Sequence, residues 1–341
     1  MISRNQSLDV LRGAAVLMVM MSHYRVFPLA GRGWVGVDLF FVLSGFLISG
    51  LLFSEMHRHG GISIGRFYLR RGFKIYPGLY ALLAIMILFG DWLLKPLQRD
   101  FVVDALFLQN YLKPSSSHIH VLGHLWSLAV EEHFYLILPL VLVLLNRAKI
   151  MHFIPLIAVA LIALCFCLRV PYSRTHGFQI FVSHLRMDAL FAGVAIGYLH
   201  HLREDLFVKF SRWWIPLPGL ALLLPLISGL KFPSLVMTCN LLSFSLILGW
   251  SAQRIFPWSG WLAAIGRYSY SIYLWHLPIA SIWKRWPMTW LGLATYIIAS
   301  LLVGVLAALV IEFPALRLRD RLTSKRATSL GQSAAAGGTE S

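Results

Sequence analysis

Charge is scarce in this chain. Of its 341 residues, 13% are Asp, Glu, Lys or Arg and 58% are hydrophobic. A soluble domain carries roughly 25% charge. The composition therefore excludes an ordinary soluble domain, and much of the chain must face lipid. Acidic residues are the rarer sign, 14 against 30 Lys and Arg, for a net charge of +16. Such an excess could suit nucleic acid. Here the basic residues lie in short loops between apolar runs, the pattern of the cytoplasmic face of a membrane protein. Cysteine is limited to Cys165, Cys167 and Cys239, all within apolar runs. That argues against a disulfide framework, and there is no zinc-type spacing. No internal repeat of roughly 20–50 residues is present, which removes the solenoid folds.

Long apolar runs are what the chain does have. Runs of about 17–25 residues mark membrane spans. Ten are read, at 8–27, 36–53, 75–94, 124–145, 151–168, 185–200, 213–229, 234–251, 261–282 and 289–312. The sequence thus predicts an all-α polytopic transmembrane bundle of about ten spans. Segments 100–112 and 178–184 are too polar or too short to span and read as interfacial or loop segments. With the N-terminus inside, the inside loops hold 17 Lys and Arg and the outside loops 9. That bias predicts both termini in the cytoplasm. The first apolar run, ending at Pro28-Leu29-Ala30, imitates a signal peptide. Asp9, Arg12 and His23 in or beside it favour an uncleaved helix. The domain reading is a transmembrane unit over 1–316 and a cytoplasmic tail over 317–341, basic at first and disordered after Leu330.

The stretch LDVLRGAAVLMVMMSHY, Leu8 to Tyr24, organises the rest. Arg12 and His23 stand eleven positions apart, about three turns plus roughly 20°, so they share one face about 16 Å apart along the axis. An ionisable residue inside a membrane is a functional hypothesis by default. Arg12 snorkelling to headgroups, with His23 hydrogen-bonded in a polar core, is the plainer alternative. Asp38 in the second run comes near the depth of His23, where a carboxylate could orient the imidazole or cap its own helix. Ser44 and Gly45 suit close helix packing.

The loop RFYLRRGFKIYPGLY is the most basic part of the chain. Arg71 and Lys74, three apart, share a helix face. With Arg70 and Arg12 they could form a cationic cluster for phosphates, or simply anchor the inner face on anionic lipid. In GHLWSLAVEEHFYLILP, Glu131 and Glu132 lie at membrane depth, and at least one must point into a polar cavity or be protonated. Ser127 and Glu131 share a face. Arg186 and Asp188 are expected to pair near the outer mouth. Tyr273 and His276 lie three apart on one face, and Glu312 ends the last span near the basic cluster. His118, His120 and His124 alternate, yet no carboxylate or Cys completes a metal set, so no metal is expected.

In order along about residues 8–314, LDVLRGAAVLMVMMSHY, GWVGVDLFFVLSGFLIS, FYLRRGFKIYP, GHLWSLAVEEHFY, LRMDALFAG, YSYSIYLWH and IEFP resemble the membrane acyltransferase family 3. These are integral inner-membrane O-acyltransferases of bacteria. The family pairs an Arg and a His in the first helix, as at Arg12 and His23. It has two arginines three apart after the second helix, where this chain has Arg71 and Lys74. Lys keeps the charge and loses the bidentate fork. Many members carry a further periplasmic domain, for which no segment is seen.

The resemblance implies an O-acyltransferase of the cell inner membrane, moving an acyl group, acetyl above all, from cytoplasmic acyl-CoA to a hydroxyl of a surface carbohydrate or glycolipid. His23, Arg12, Asp38 and Glu131 would carry catalysis, with His23 as general base or transient acyl carrier. Arg70, Arg71, Lys74 and Glu312 would hold the donor; Arg186, Asp188, Tyr273 and His276 would meet the acceptor. No permanently bound cofactor and no nucleic acid are implied; membrane lipids are, and the oligomeric state is open. Two other classes compete: a secondary transporter or glycolipid flippase, which would favour matching half-bundles with broken helices, and a non-catalytic scaffold, which would leave Arg12 and His23 without a task.

Overall fold

The computed structural model describes residues 5–24, 26, 31–93, 98–112, 121–254, 256–284 and 288–323. The readings placed on Pro28 to Ala30, Lys95, Lys113, His118, His120, Arg285, Lys325, Arg326 and the tail after Leu330 lie outside the described residues. Within them the chain is all-helical, with no strand. The helices are α1 (Gln6–His23), α2 (Val35–His59), α3 (Ile64–Leu93), α4 (Gln98–Ala105), α5 (Leu125–Arg147), α6 (Ile154–His176), α7 (Met187–Leu202), α8 (Pro233–Ser251), α9 (Gly260–Arg267), α10 (Ser269–Trp283) and α11 (Trp290–Ala307), with shorter turns between.

Among the described residues, six helical stretches are long and apolar enough to cross a membrane: Val35–His59, Ile64–Phe89, Leu125–Arg147, Met151–His176, Pro233–Ser251 and Trp290–Thr323. The chain is a multi-pass membrane protein. The other four expected spans are helical but shorter or interrupted. α1 carries Asp9 and Arg12, and α7 has 16 residues. The expected span 213–229 is two pieces, Pro216–Ala221 and Leu224–Ile227, because Pro225 has no N–H to extend the ladder. The expected span 261–282 breaks at Tyr268 into α9 and α10.

α2 forms the middle of the bundle. Its sequence is apolar on most sides, so most of its surface is buried. Of its apolar stretch 78% is buried, against 22% for Met151–His176. α7 lies closest to it, because a Cβ on Gly45 would overlap the Leu190 carbonyl and one on Gly193 the Val42 carbonyl. Small residues on both sides let the two backbones meet. α1 crosses α9 in the same way at Gly13 and Gly266. Leu156, Val159 and Leu164 of α6 and Ile298, Leu302 and Leu306 of α11 face outward.

The helix of α11 continues past Ala307 through one π turn, Ala308–Glu312, closed by the Phe313 N–H on the Ala308 carbonyl. It runs on to Thr323, so the domain boundary expected at 316 falls inside a helix. Such turns redirect a side chain within an otherwise regular helix. Here Glu312 is buried, 2% exposed.

Candidate active site

Two hollows lie on either side of one wall. The smaller, about 110 Å³, is lined by Arg12 of α1, Arg71 and Lys74 of α3 and Arg267 at the end of α9, with Ser44, Ser127, Glu131 and Tyr135. The larger, about 380 Å³, is lined by His23 at the end of α1, with His124, Trp34, Trp126, Phe178 and Lys284. Val37 and Tyr273 line both. The smaller is called the cationic chamber and the larger the histidine cavity. α1 contributes Arg12 to the first and His23 to the second, as their shared helix face requires.

The cationic chamber holds four basic side chains, Arg12, Arg71, Lys74 and Arg267. Lys74 is paired with Glu312, whose second oxygen accepts the Ser271 hydroxyl at 2.6 Å. The Arg71 guanidinium lies 5.5 Å from the Tyr135 ring and 5.9 Å from that of Phe67, so it is held by aromatic faces. Among the described residues Arg71 forms no salt bridge. Glu131 accepts the Ser44 hydroxyl at 2.7 Å and the Tyr135 hydroxyl at 2.8 Å, one on each oxygen. The α9–α10 break sets Arg267 and Ser269 at the chamber wall. Interrupted backbone at membrane depth is tolerated where it lines such a cavity.

The wall is a hydrogen-bonded contact between α5 and α10. The Ser127 and Tyr273 hydroxyls meet at 2.5 Å, and the Tyr273 hydroxyl also donates to the His124 carbonyl at 3.1 Å. Pro278 explains the next contact. It has no N–H for the carbonyl four residues earlier, that of Leu274. The His124 Nε2–H takes that place at 3.0 Å. His276 sits between two other rings, 5.2 Å from His23 and 5.1 Å from His124 between centroids.

Several expectations meet the structure directly. Arg12, Arg71, Lys74, Ser127 and Glu131 converge on one chamber, and Tyr273 and His276 lie together with ring centroids 5.3 Å apart. Of the adjacent glutamates, Glu131 faces the chamber, while Glu132 accepts the Tyr76 hydroxyl at 3.2 Å. Arg70 points away and is exposed, because successive helical residues diverge by about 100°. Glu312 acts on the chamber through Lys74 and does not line it.

Two expected pairings are corrected. Asp38 does not face His23: it is paired with Arg186, and its other oxygen accepts the Asn240 amide at 3.2 Å. The neighbouring Val37 is the residue that lines both hollows, and Asp38 lies about 100° round the helix from it. Arg186 and Asp188 do not pair with one another. Asp188 binds Arg169 at 2.7 Å, because two residues along a helix end point in different directions. Arg186 also lies between the rings of Phe41 and Trp126, at 5.4 and 5.5 Å, and lines the histidine cavity.

Sequence reasoning passed over Arg267, Asn240, Arg169 and the Ser44–Glu131 contact. Arg267 had a usable signal, since it falls inside an expected span where any ionisable residue calls for a partner or a task. Asn240 and Ser44 had none, because a small polar residue in a span is common.

These features define a polytopic helical membrane protein with buried charges around a divided internal site. The chain belongs to the acyltransferase family 3, since the family model described as "Acyltransferase domain" matches residues 5–313. It is similar to the O-acetyltransferase OatA of Staphylococcus aureus, strain NCTC 8325, with 30% identity over 90% of this chain and 56% of that protein. It is also similar to a second S. aureus protein, of strain COL, provisionally named an O-acetyltransferase, with 29% identity over 80% of this chain and 50% of that protein. The chain thus spans about half the length of these relatives. No solved structure matches it.

Proposed function

We propose that the chain is an O-acyltransferase that carries an acetyl group from acetyl-CoA, bound at the cationic chamber, to a carbohydrate or glycolipid hydroxyl in the histidine cavity. The single observation that carries this reading is the division of the site. Four basic side chains line one hollow, a histidine stands at the other, and one wall separates them. The names of the relatives above support the acetyl group.

An acyl-CoA carries its charge on phosphates, which suit a cluster of Arg and Lys. On the proposed topology of ten spans with both termini cytoplasmic, Arg12, Arg71, Lys74 and Arg267 meet the donor where acyl-CoA is made, in the cytoplasm. The histidine cavity opens to the other face of the inner membrane, where an exported glycan would be met. Residues 1–316 form the working domain. Arg70, exposed on α3, would add charge for the approaching donor, and Glu312 would fix Lys74.

In the chemical step His23 acts as general base. With the pantetheine arm extended past the Ser127–Tyr273 contact into the histidine cavity, His23 takes the proton of the acceptor hydroxyl as that oxygen attacks the thioester carbonyl. The C–S bond then breaks, and the proton passes from His23 to the departing sulfur, giving CoA and the O-acyl ester. Arg12 and the other chamber cations stabilise the negative charge on the donor side. Glu131, held by Ser44 and Tyr135, keeps an acid group beside Arg12 and Arg71. Asp38 serves by fixing Arg186, which lines the acceptor cavity, Asp188 by holding Arg169 in the packing behind it, and Tyr273 closes the wall.

The test is acetyl transfer by the purified protein in detergent, from radiolabelled acetyl-CoA to an envelope carbohydrate fraction. Incorporation by the wild type and its loss in His23→Ala, with the variant still folded, are expected. Failure of the wild type to label carbohydrate or glycolipid would remove the reading.

A further inference from the structure

We propose that the loop 177–182, together with Trp34 and Trp126, is the subsite that holds a sugar ring of the acceptor by its C–H faces. The inference deepens the reading above and rests on the acceptor being a carbohydrate.

The course of the loop follows from its residues. Gly177 ends α6 at φ +56°, a conformation that glycine adopts without strain, and its N–H closes on the Ser173 carbonyl at 2.8 Å. The Gln179 N–H then meets the His176 carbonyl at 3.0 Å, and the Ile180 N–H meets the Phe178 carbonyl at 2.9 Å. Ile180 is buried and packs with Leu185 and Met237, so it pins the loop to the bundle. Phe178 and Phe181, on either side of that pin, are left 39% and 40% exposed, and both line the histidine cavity.

Each phenylalanine stands against a tryptophan that lines the same cavity. Trp34 and Phe178 have ring centroids 5.7 Å apart at 54°, and Trp126 and Phe181 have them 4.9 Å apart at 41°. Rings tilted in this way leave part of each face uncovered. Polar groups stand among them. Gln179 lines the cavity and is exposed. Among the described residues its side-chain amide and the two indole N–H groups have no hydrogen-bond partner.

A sugar ring matches this mixture. Its axial C–H bonds, polarised by the neighbouring oxygens, meet the negative face of an aromatic ring. Its hydroxyl edge needs donors and an acceptor; the Gln179 amide offers both, and an indole N–H adds a donor. An alkyl chain in the same place would cover those polar groups without bonding them, at a cost. A cationic ligand would find no counter-charge, since no Asp or Glu lines the cavity, whereas Arg186 and Lys284 do. At about 380 Å³ the cavity has the size of small-ligand pockets, roughly 300–1,000 Å³, which mix aromatic walls with a few polar groups in the same manner. His23 lines it too, so a ring held by these walls brings its hydroxyl to the base.

Binding can be read without any transfer reaction. The measurement is saturation-transfer NMR of the full-length protein in lipid nanodiscs, free of glycoside detergent. The probes are the methyl β-glycosides of glucose, N-acetylglucosamine and glucuronic acid. Saturation of the ring C–H protons of at least one probe is expected in the wild type. Phe178→Leu with Phe181→Leu keeps apolar volume without the π face, and should weaken that glycoside about 2–10-fold. Phe178→Tyr with Phe181→Tyr keeps the face and should bind it as the wild type does. In the transfer assay the Leu pair should raise the acceptor KM by the same factor and leave the KM for acetyl-CoA unchanged. No saturation of any of the three probes in the wild type, or equal binding by the Leu pair and the wild type, would overturn the proposal. If the Leu pair does not fold, Gln179→Ala decides, with a weakening of about 2–10-fold expected from its lost hydrogen bonds and unchanged binding counting against the subsite. Glycoside binding without acetyl transfer would remove the proposed activity and leave the subsite. Transfer with an unchanged acceptor KM in the Leu pair would remove the subsite and leave the activity.

Discussion

Ser127 on α5 and Tyr273 on α10 touch through their hydroxyls, 2.5 Å apart, and that contact closes the wall between the cationic chamber and the histidine cavity. Tyr273→Phe should cost about 1 kcal/mol for each of its two hydrogen bonds, read as a lower unfolding midpoint in detergent. Tyr273→Ala removes the ring itself and joins the two hollows. Hydrolysis of acetyl-CoA without acceptor should then rise relative to transfer, because excluding water is what suppresses that side reaction. Thiol release measured without carbohydrate checks this; an unchanged ratio would mean that the wall does not separate donor from water.

Lys74 and Arg71 line the same chamber and should respond differently. Arg71 has no salt-bridge partner among the described residues, so Arg71→Ala should raise the apparent KM for acetyl-CoA about tenfold with little loss of stability. Lys74→Ala also leaves Glu312 buried without its cation, which should cost about 3–5 kcal/mol. Adding Glu312→Gln should restore the unfolding midpoint and leave the donor KM high. Donor titrations alongside thermal unfolding separate the two roles. A donor KM unchanged from wild type in all three variants would remove the phosphate-binding assignment.

Asp38→Ala should behave as a folding defect. It strips Arg186 of its buried carboxylate, again at about 3–5 kcal/mol. Replacing both, as Asp38→Leu with Arg186→Met, should recover much of that stability. If Asp38→Ala were fully stable yet inactive, the carboxylate would have a chemical task that its contacts do not show.

Gly45→Leu should abolish the folded protein, since even a Cβ there overlaps the Leu190 carbonyl. Gly65→Ala, with open space around it, should be tolerated and gain up to about 1 kcal/mol from helix propensity. Yield of monodisperse protein in detergent compares them.

Much of this was legible in the sequence, and the reasons are particular. Arg12 and Glu131 could be read because a charged residue within an apolar run has few tolerable positions, and Arg71 and Lys74 because they stand three apart in the most basic loop. Helical spacing then says which of them share a face. The all-helical fold followed from the same runs. Partner choice was not legible. Asp38 with Arg186 joins positions 148 residues apart and Arg169 with Asp188 joins two successive helices, and helical spacing carries no information from one helix to another. The α9–α10 break was hidden as well. Tyr268 is an ordinary residue in an apolar run, and nothing in its residue type marks the departure from helical geometry there. The His124 contact on Leu274 could have been suspected from Pro278 alone, but the donor could not have been named.

On the proposed function, one bundle passes an acyl group from the cationic chamber to a hydroxyl beyond the wall by way of His23. The most direct measurement uses the purified protein in sealed liposomes, with radiolabelled acetyl-CoA outside and the carbohydrate fraction enclosed. Label on the enclosed carbohydrate is expected, reduced about 10²–10⁴-fold in His23→Ala while acetyl-CoA still binds. Label found only on carbohydrate supplied on the same side as the donor, or transfer at the wild-type rate in His23→Ala, would contradict it.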